Sequence, residues 1–158
     1  MKKVLIASDH AGFAGKENIK KILDQMGIGY LDLGPGSETS VDYPDFAELV
    51  ATGVANGDAE RGILVCGSGI GMQIAANKVP GVRAALAWNE ETARLCRQHN
   101  DANVLAVGSR TTPAETIEKI VHAFLTTEFD GGRHQQRLDK ISRLEEKQGN
   151  TSQSTRSN

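Results

Sequence analysis

The sequence predicts an α/β protein: a three-layer, doubly wound, Rossmann-like domain on a parallel five-stranded sheet, with an extra C-terminal helix. Five short runs rich in Val, Ile and Leu carry no polar alternation, as strands buried on both faces of a parallel sheet should. They are Val4–Ala7, Tyr30–Leu33, Ile63–Cys66, Val82–Ala87 and Val104–Val107. Amphipathic segments separate them, and strands that alternate with helices imply parallel βαβ units.

Taken in order, Ile19, Ile22, Leu23 and Met26 recur at helical spacing after the first run, and Gly27 follows where a C-cap belongs. Phe46, Leu49, Val50 and Val54 repeat the stripe before Asn56-Gly57. A short helix from Met72 to about Lys78 follows the third run, and another spans Glu90–His99. Thr112-Pro113-Ala114-Glu115 reads as N-cap, N1 proline and capping-box acid ahead of Ile117, Ile120, Val121 and Phe124. After Asp130-Gly131-Gly132 a last helix runs from Arg133 to about Glu146, with Leu138, Ile141 and Leu144 as its aliphatic residues. One domain over 1–146 and a polar, disordered tail over 147–158 are expected. Five strands most simply adopt the order 2-1-3-4-5.

Composition narrows the function. Hydrophobic residues are 39% and charged ones 24% of 158, enough for a core and incompatible with disorder throughout. Eighteen Lys and Arg against twenty Asp and Glu leave a net charge of −2, which supplies no broad basic surface for nucleic acid. One Trp, two Tyr and four Phe are too few for base-stacking platforms. The two cysteines, Cys66 and Cys96, suit free thiols in a reducing compartment. The first apolar run stops at Ser8-Asp9-His10, too short for a signal peptide, and no stretch suits a membrane span. A cytoplasmic protein is expected.

In an open α/β sheet, ligands bind beyond the carboxyl ends of the strands where strand order reverses, here between strands 1 and 3. Ser8-Asp9-His10 leaves strand 1 and Cys66-Gly67-Ser68-Gly69-Ile70-Gly71 leaves strand 3, so the two clusters should share one cleft. The glycines let several N–H groups converge on one anion. The run departs from a dinucleotide fingerprint, because Gly71 comes one residue early and Met72 stands where glycine is needed. A nucleotide-binding module without turnover stays open, as does a plain strand-to-helix turn. Cys66, at the end of its strand, reads either as a small core residue or as a base toward a carbon acid whose oxyanion the N–H groups hold. Cys96 reads as structural. His10, His99 and His122 show no metal-ligand spacing, and no metal site is expected. Arg133 and Arg137, with His134 beside them, form either a solvated basic face or a two-arginine clamp for a phosphate monoester.

With these residues assembled, the sequence resembles ribose-5-phosphate isomerase type B, within the ribose/galactose-6-phosphate isomerase family. The resemblance runs from Met1 to about Glu146. Its motifs are Ser8-Asp9-His10-Ala11-Gly12-Phe13, Asp42-Tyr43-Pro44, Cys66 to Gly71, Ala75-Ala76-Asn77-Lys78, Arg97-Gln98-His99-Asn100-Asp101, Gly108-Ser109-Arg110 and Gly131 to Arg137. It implies an aldose–ketose isomerase acting on ribose 5-phosphate and ribulose 5-phosphate without metal or cofactor. Galactose 6-phosphate or allose 6-phosphate is the alternative substrate.

The resemblance makes Cys66 the C2/C1 base and His99, assisted by Asp9, the group that opens the furanose ring. Gly67, Ser68, Gly69, Ile70 and Gly71 would hold the enediolate, with Ser68 near O1 and O2. His10, Tyr43, Asn100, Arg110, Arg133, His134 and Arg137 would contact sugar and phosphate. Some members carry a carboxylate base at the position of Met72, so the thiol must serve here. His99 and Asn100 precede strand 5, which the expected order puts at the sheet edge away from Cys66. A homodimer with shared sites is therefore expected, with a tetramer as the alternative assembly.

Overall fold

The five apolar runs form one sheet of parallel strands in which every described central strand is buried on both faces. A computed structural model describes residues 3–156, with side chains described over 3–149. The elements are β1 (Val4–Ser8), α1 (Phe13–Met26), β2 (Tyr30–Asp32), α2 (Tyr43–Ala55), β3 (Arg61–Cys66), α3 (Ile70–Ala76), β4 (Ala84–Leu86), α4 (Glu90–Gln98), β5 (Val104–Gly108), α5 (Ala114–Thr126) and α6 (Arg133–Arg156).

Alternation along the strands sorts the core into two layers. Val4, Ile6, Ile63, Val65, Leu105 and Val107 pack with the apolar faces of α1, α4 and α5. Leu5, Ala7, Leu64, Cys66, Val104 and Ala106 face α2 and α3. The three-layer class therefore matches the sequence.

Strand order differs from the expected one: it is β2-β1-β3-β5-β4. β5 is a five-residue strand buried throughout, and it pairs with β3 from Gly62↔Val104 to Cys66↔Gly108. β4 has three residues, two of them half-buried, and suits an edge. The longer apolar strand takes the inner place because it buries more surface there.

Local punctuation holds with two exceptions. Gly27 ends α1 at φ +70°, the left-handed cap that glycine adopts freely. Pro113 itself is the N-cap of α5 and no side chain caps that helix, so the expected Thr112 capping box does not form. The residue before a proline is held in extended backbone, which keeps Thr112 one position outside the helix. α6 continues to Arg156, where the sequence suggested a disordered tail from 147. Glu145, Glu146, Lys147 and Gln148 are good helix formers, and the lone Gly149 costs only about 1 kcal/mol. The expectation for 157–158 lies outside the described residues.

Candidate active site

The loops leaving β1 and β3 meet at the point where strand order reverses, and they line a cleft of about 640 Å³. Its walls include Asp9, His10, Tyr43, Cys66, Gly67, Ser68, Ile70, Gly71 and Arg110, nine residues that sequence reasoning had singled out. Ala11, Ile74 and Thr111 join them.

Cys66 ends β3, and its side chain is nearly buried on the α2/α3 side. The Gly69 N–H donates to Cys66 Sγ at 3.1 Å, which holds the sulfur at the start of the glycine loop. Gly69 adopts φ +80°, and a Cβ there would stand 2.9 Å from the Val107 carbonyl carbon. Glycine at 69 therefore does two things: it turns the amide toward the sulfur and lets the loop lie against β5. The Ile70 N–H donates to Ser68 Oγ at 3.2 Å, which fixes that hydroxyl at the cleft. The Gly67 and Ser68 amides donate to no group among the described residues, so they stay available to an oxyanion.

A Cβ on Gly71 would meet the Tyr43 ring at 2.6 Å. The missing side chain thus lets Tyr43 lie close over the start of α3. Met72 is fully buried in the core, which removes it from the cleft altogether.

On the β1 side, Asp9 Oδ1 accepts from the Gly12 N–H at 2.9 Å, and Asp9 is nearly buried. The Val41 N–H and the Val41 carbonyl oxygen both lie 3.2 Å from His10 Nδ1. When Nδ1 accepts from that N–H, the ring proton sits on Nε2. Sequence reasoning missed Val41, and no signal could have found it, because it acts through its backbone. Ser109 Oγ donates to the Ala11 carbonyl at 3.0 Å and ties the β5 and β1 loops together. The Arg110 N–H donates to the Gly67 carbonyl at 2.9 Å. Its guanidinium lies beside Gly67 and has no carboxylate partner among the described residues. The cleft thus presents a thiol, a carboxylate, a hydroxyl and one unpaired cation.

The remaining expected residues lie elsewhere. His99 is the C-cap of α4 and Asn100 follows it, ahead of the amino end of β5. Cys66 pairs with Gly108 at the carboxyl end of β5. His99 and Cys66 therefore lie at opposite ends of β5, a strand roughly 13 Å long at about 3.3 Å per residue. The expected reason, opposite sheet edges, is incorrect because β5 is the immediate neighbour of β3. Arg133 and Arg137 are exposed on the first turns of α6, and His134 between them is buried.

The His99 and His134 rings stack with centroids 4.3 Å apart and planes 13° from parallel. Burial, then His99 and the two arginines, hold His134 below the usual histidine range. Asp130 brings a carboxylate within 4.8 Å of both rings, so the three groups form the most metal-like set among the described residues. Imidazole donates in its own plane, and one ion cannot lie in two stacked planes. Joint ligation would require breaking the stack.

The Ribose/Galactose Isomerase family model matches residues 4–141. The chain belongs to this family. Among its members it is 45% identical over 147 residues to ribose-5-phosphate isomerase B of Escherichia coli (strain K12), covering 93% of this chain and 99% of that one. A structure of ribose-5-phosphate isomerase B from Clostridium thermocellum superposes with a TM-score of 0.90 at 47% identity, covering 92% and 98% of the two chains. A crystal structure of ribose-5-phosphate isomerase B from Mycoplasma genitalium with bound ribulose-5-phosphate superposes at 0.87 and 49% identity, covering 91% and 96%. Family membership extends over the cleft and the first turns of α6 alike, since both fall within the matched residues.

Proposed function

We propose that this chain is an aldose–ketose isomerase that interconverts ribose 5-phosphate and ribulose 5-phosphate, each site being built by two copies. The observation that carries the reading is the Cys66 sulfur, bonded by the Gly69 amide at a cleft on the switch point of the sheet. The relative from Mycoplasma genitalium, with ribulose-5-phosphate bound, supports the substrate class.

The chemistry consists of proton transfers. Ring opening breaks the C1–O4 bond, with a proton leaving O1 and one delivered to O4. His99 of a second copy performs it, aided by Asp9. Cys66 then removes the C2 proton, so the C2–H bond breaks and an S–H bond forms. Negative charge moves to O1, where the Gly67 and Ser68 amides receive it. Preorganised donors of this kind are worth about 2.7–4 kcal/mol each when removed from an oxyanion hole. Ser68 Oγ passes the proton from O2 to O1, and Cys66 returns its proton to C1. His10 and Arg110, with Arg133, His134 and Arg137, hold sugar and phosphate, and that remote anchoring fixes C1 and C2 beside the sulfur. Tyr43 covers the cleft, and Asn100 contacts the sugar from the second copy.

Incompleteness within one copy supports the dimer. Ile70 and Ile74 on α3 and Ile141 and Leu144 on α6 are exposed apolar side chains, a face that a second copy would cover. Pairing of dimers into a tetramer stays the alternative assembly. No described helix is long and apolar enough to cross a membrane, and two free thiols suit a reducing cytoplasm.

The test is turnover of ribose 5-phosphate, galactose 6-phosphate and allose 6-phosphate by wild type and Cys66→Ala. Turnover of the pentose phosphate, lost by about a thousandfold or more in Cys66→Ala, is expected. Faster turnover of a hexose phosphate, or an active Cys66→Ala, would contradict the reading.

A further inference from the structure

Arg97 is a buried guanidinium that the proposed reaction leaves without a task. It lies on the last turn of α4, two residues before His99, and is 2% exposed. Its Nη1 donates to Asp101 Oδ1 and to the Ala102 carbonyl, both at 2.8 Å. Its Nε donates to the Thr127 carbonyl at 3.2 Å. One planar group therefore ties the loop after His99 to the end of α5. A second tie runs in parallel, from the Asp130 N–H to the Gln98 carbonyl at 3.1 Å.

Both ties join the same two segments: 98–102, which carries His99, and 127–134, which carries His134. The rings that stack at 4.3 Å come from these segments. Asp101 adopts φ +45°, a left-handed conformation that non-glycine residues rarely take. Its carboxylate is gripped from both sides, by Arg97 and by Arg83 Nη2 at 3.4 Å. A strained residue bound by two arginines is what a precisely set loop needs, whereas a loop of no consequence would relax. A lysine could not reproduce the grip, because a single ammonium cannot span three acceptors in one plane.

We propose that Arg97 is a positioning residue for the His99 imidazole, holding the 98–102 loop in the register that stacks His99 on His134. The proposal rests on the reading that His99 opens the sugar ring in the cleft of a second copy. Arg97 touches no substrate. It sets where the ring opener stands, and a misplacement of about 1 Å can cost a hundredfold in rate.

The test separates ring opening from proton transfer at carbon. Ribulose 5-phosphate cannot close to a furanose because its C5 oxygen carries the phosphate. Exchange of its C1 hydrogen with D2O breaks C1–H, forms S–H at Cys66, exchanges with solvent and forms C1–D, with no ring to open. Arg97→Lys should lower ribose 5-phosphate turnover roughly ten- to a hundredfold, with C1 exchange, followed by proton NMR, changed less than about twofold. Asp101→Gly suits the left-handed backbone and removes the carboxylate, and it should show a smaller loss with the same selectivity. If Arg97→Lys does not fold, Asp101→Gly carries the test.

Parallel loss of both readouts in a folded variant, or no loss in either, overturns the assignment. His99→Asn is the control for the underlying reading. Selective loss there with no selective loss in the Arg97 and Asp101 variants removes Arg97's role alone. Full turnover of ribose 5-phosphate by His99→Asn removes the reading itself.

Discussion

Two cysteines of nearly equal burial, 5% and 7% exposed, show how neighbours decide what a residue can do. Cys66 receives an N–H from Gly69 and opens on a cleft. Cys96 Sγ donates to the Ala93 carbonyl at 3.1 Å, and burial pushes its thiol up to about 11. An alkylating reagent at neutral pH should therefore label Cys66 and spare Cys96 in the folded protein, which mass spectrometry reads directly. Labelling of Cys96 first would contradict the assignment. The same shift sets a sign for stability. The unfolded chain loses the Cys96 proton first, near 9, while the folded chain keeps it to about 11. Stability should fall by about 2–3 kcal/mol as pH rises through that window. The contrast between the cysteines was legible in the sequence because Cys66 adjoins three glycines and Cys96 does not. Val41 and Arg97 were not legible, since one acts through its amide and the other through contacts 30 residues away.

Element patterns carried most of the fold. Apolar runs located the strands and helical stripes located α1, α2 and α5, because burial on one or two faces imposes a period the sequence must obey. Pairing order was not legible, since it depends on which strand gains more from the inner position. A side chain completes what the backbone of β4 lacks at this edge. Asn77 Nδ2 donates to the Ala84 carbonyl at 2.9 Å, and the Ala84 N–H donates to Asn77 Oδ1 at 2.8 Å. The amide thus pairs with the edge strand as a neighbouring strand would, which gives Asn77 a structural task within its motif. Asn77→Ala strips both partners at once and should destabilise the protein by about 1–3 kcal/mol. Calorimetry should show Tm lower by about 2–4 °C per kcal/mol, with Cys66 alkylation in the folded protein unchanged. An unchanged Tm would contradict this.

At the scale of the molecule, the residues to which the proposed reaction assigns its steps stand at the two ends of the sheet. The thiol, the amide nest, His10 and Arg110 gather at the carboxyl ends of β1, β3 and β5. The His99–His134 stack and the arginines of α6 stand at the other end. The proposed two-fold pair would place one end against the other and cover the apolar faces of α3 and α6. The position of His99 ahead of β5 was legible in the sequence, whereas the expected place of β5 at the sheet edge was incorrect.

The most direct test of this account mixes two inactive proteins, Cys66→Ala and His99→Asn, under conditions that exchange subunits. A mixed dimer holds one site with both residues intact and one with both altered. Random pairing should return about a quarter of wild-type sites, read as ribose 5-phosphate turnover per chain. Verified mixed dimers with no recovered turnover would contradict a site shared between copies.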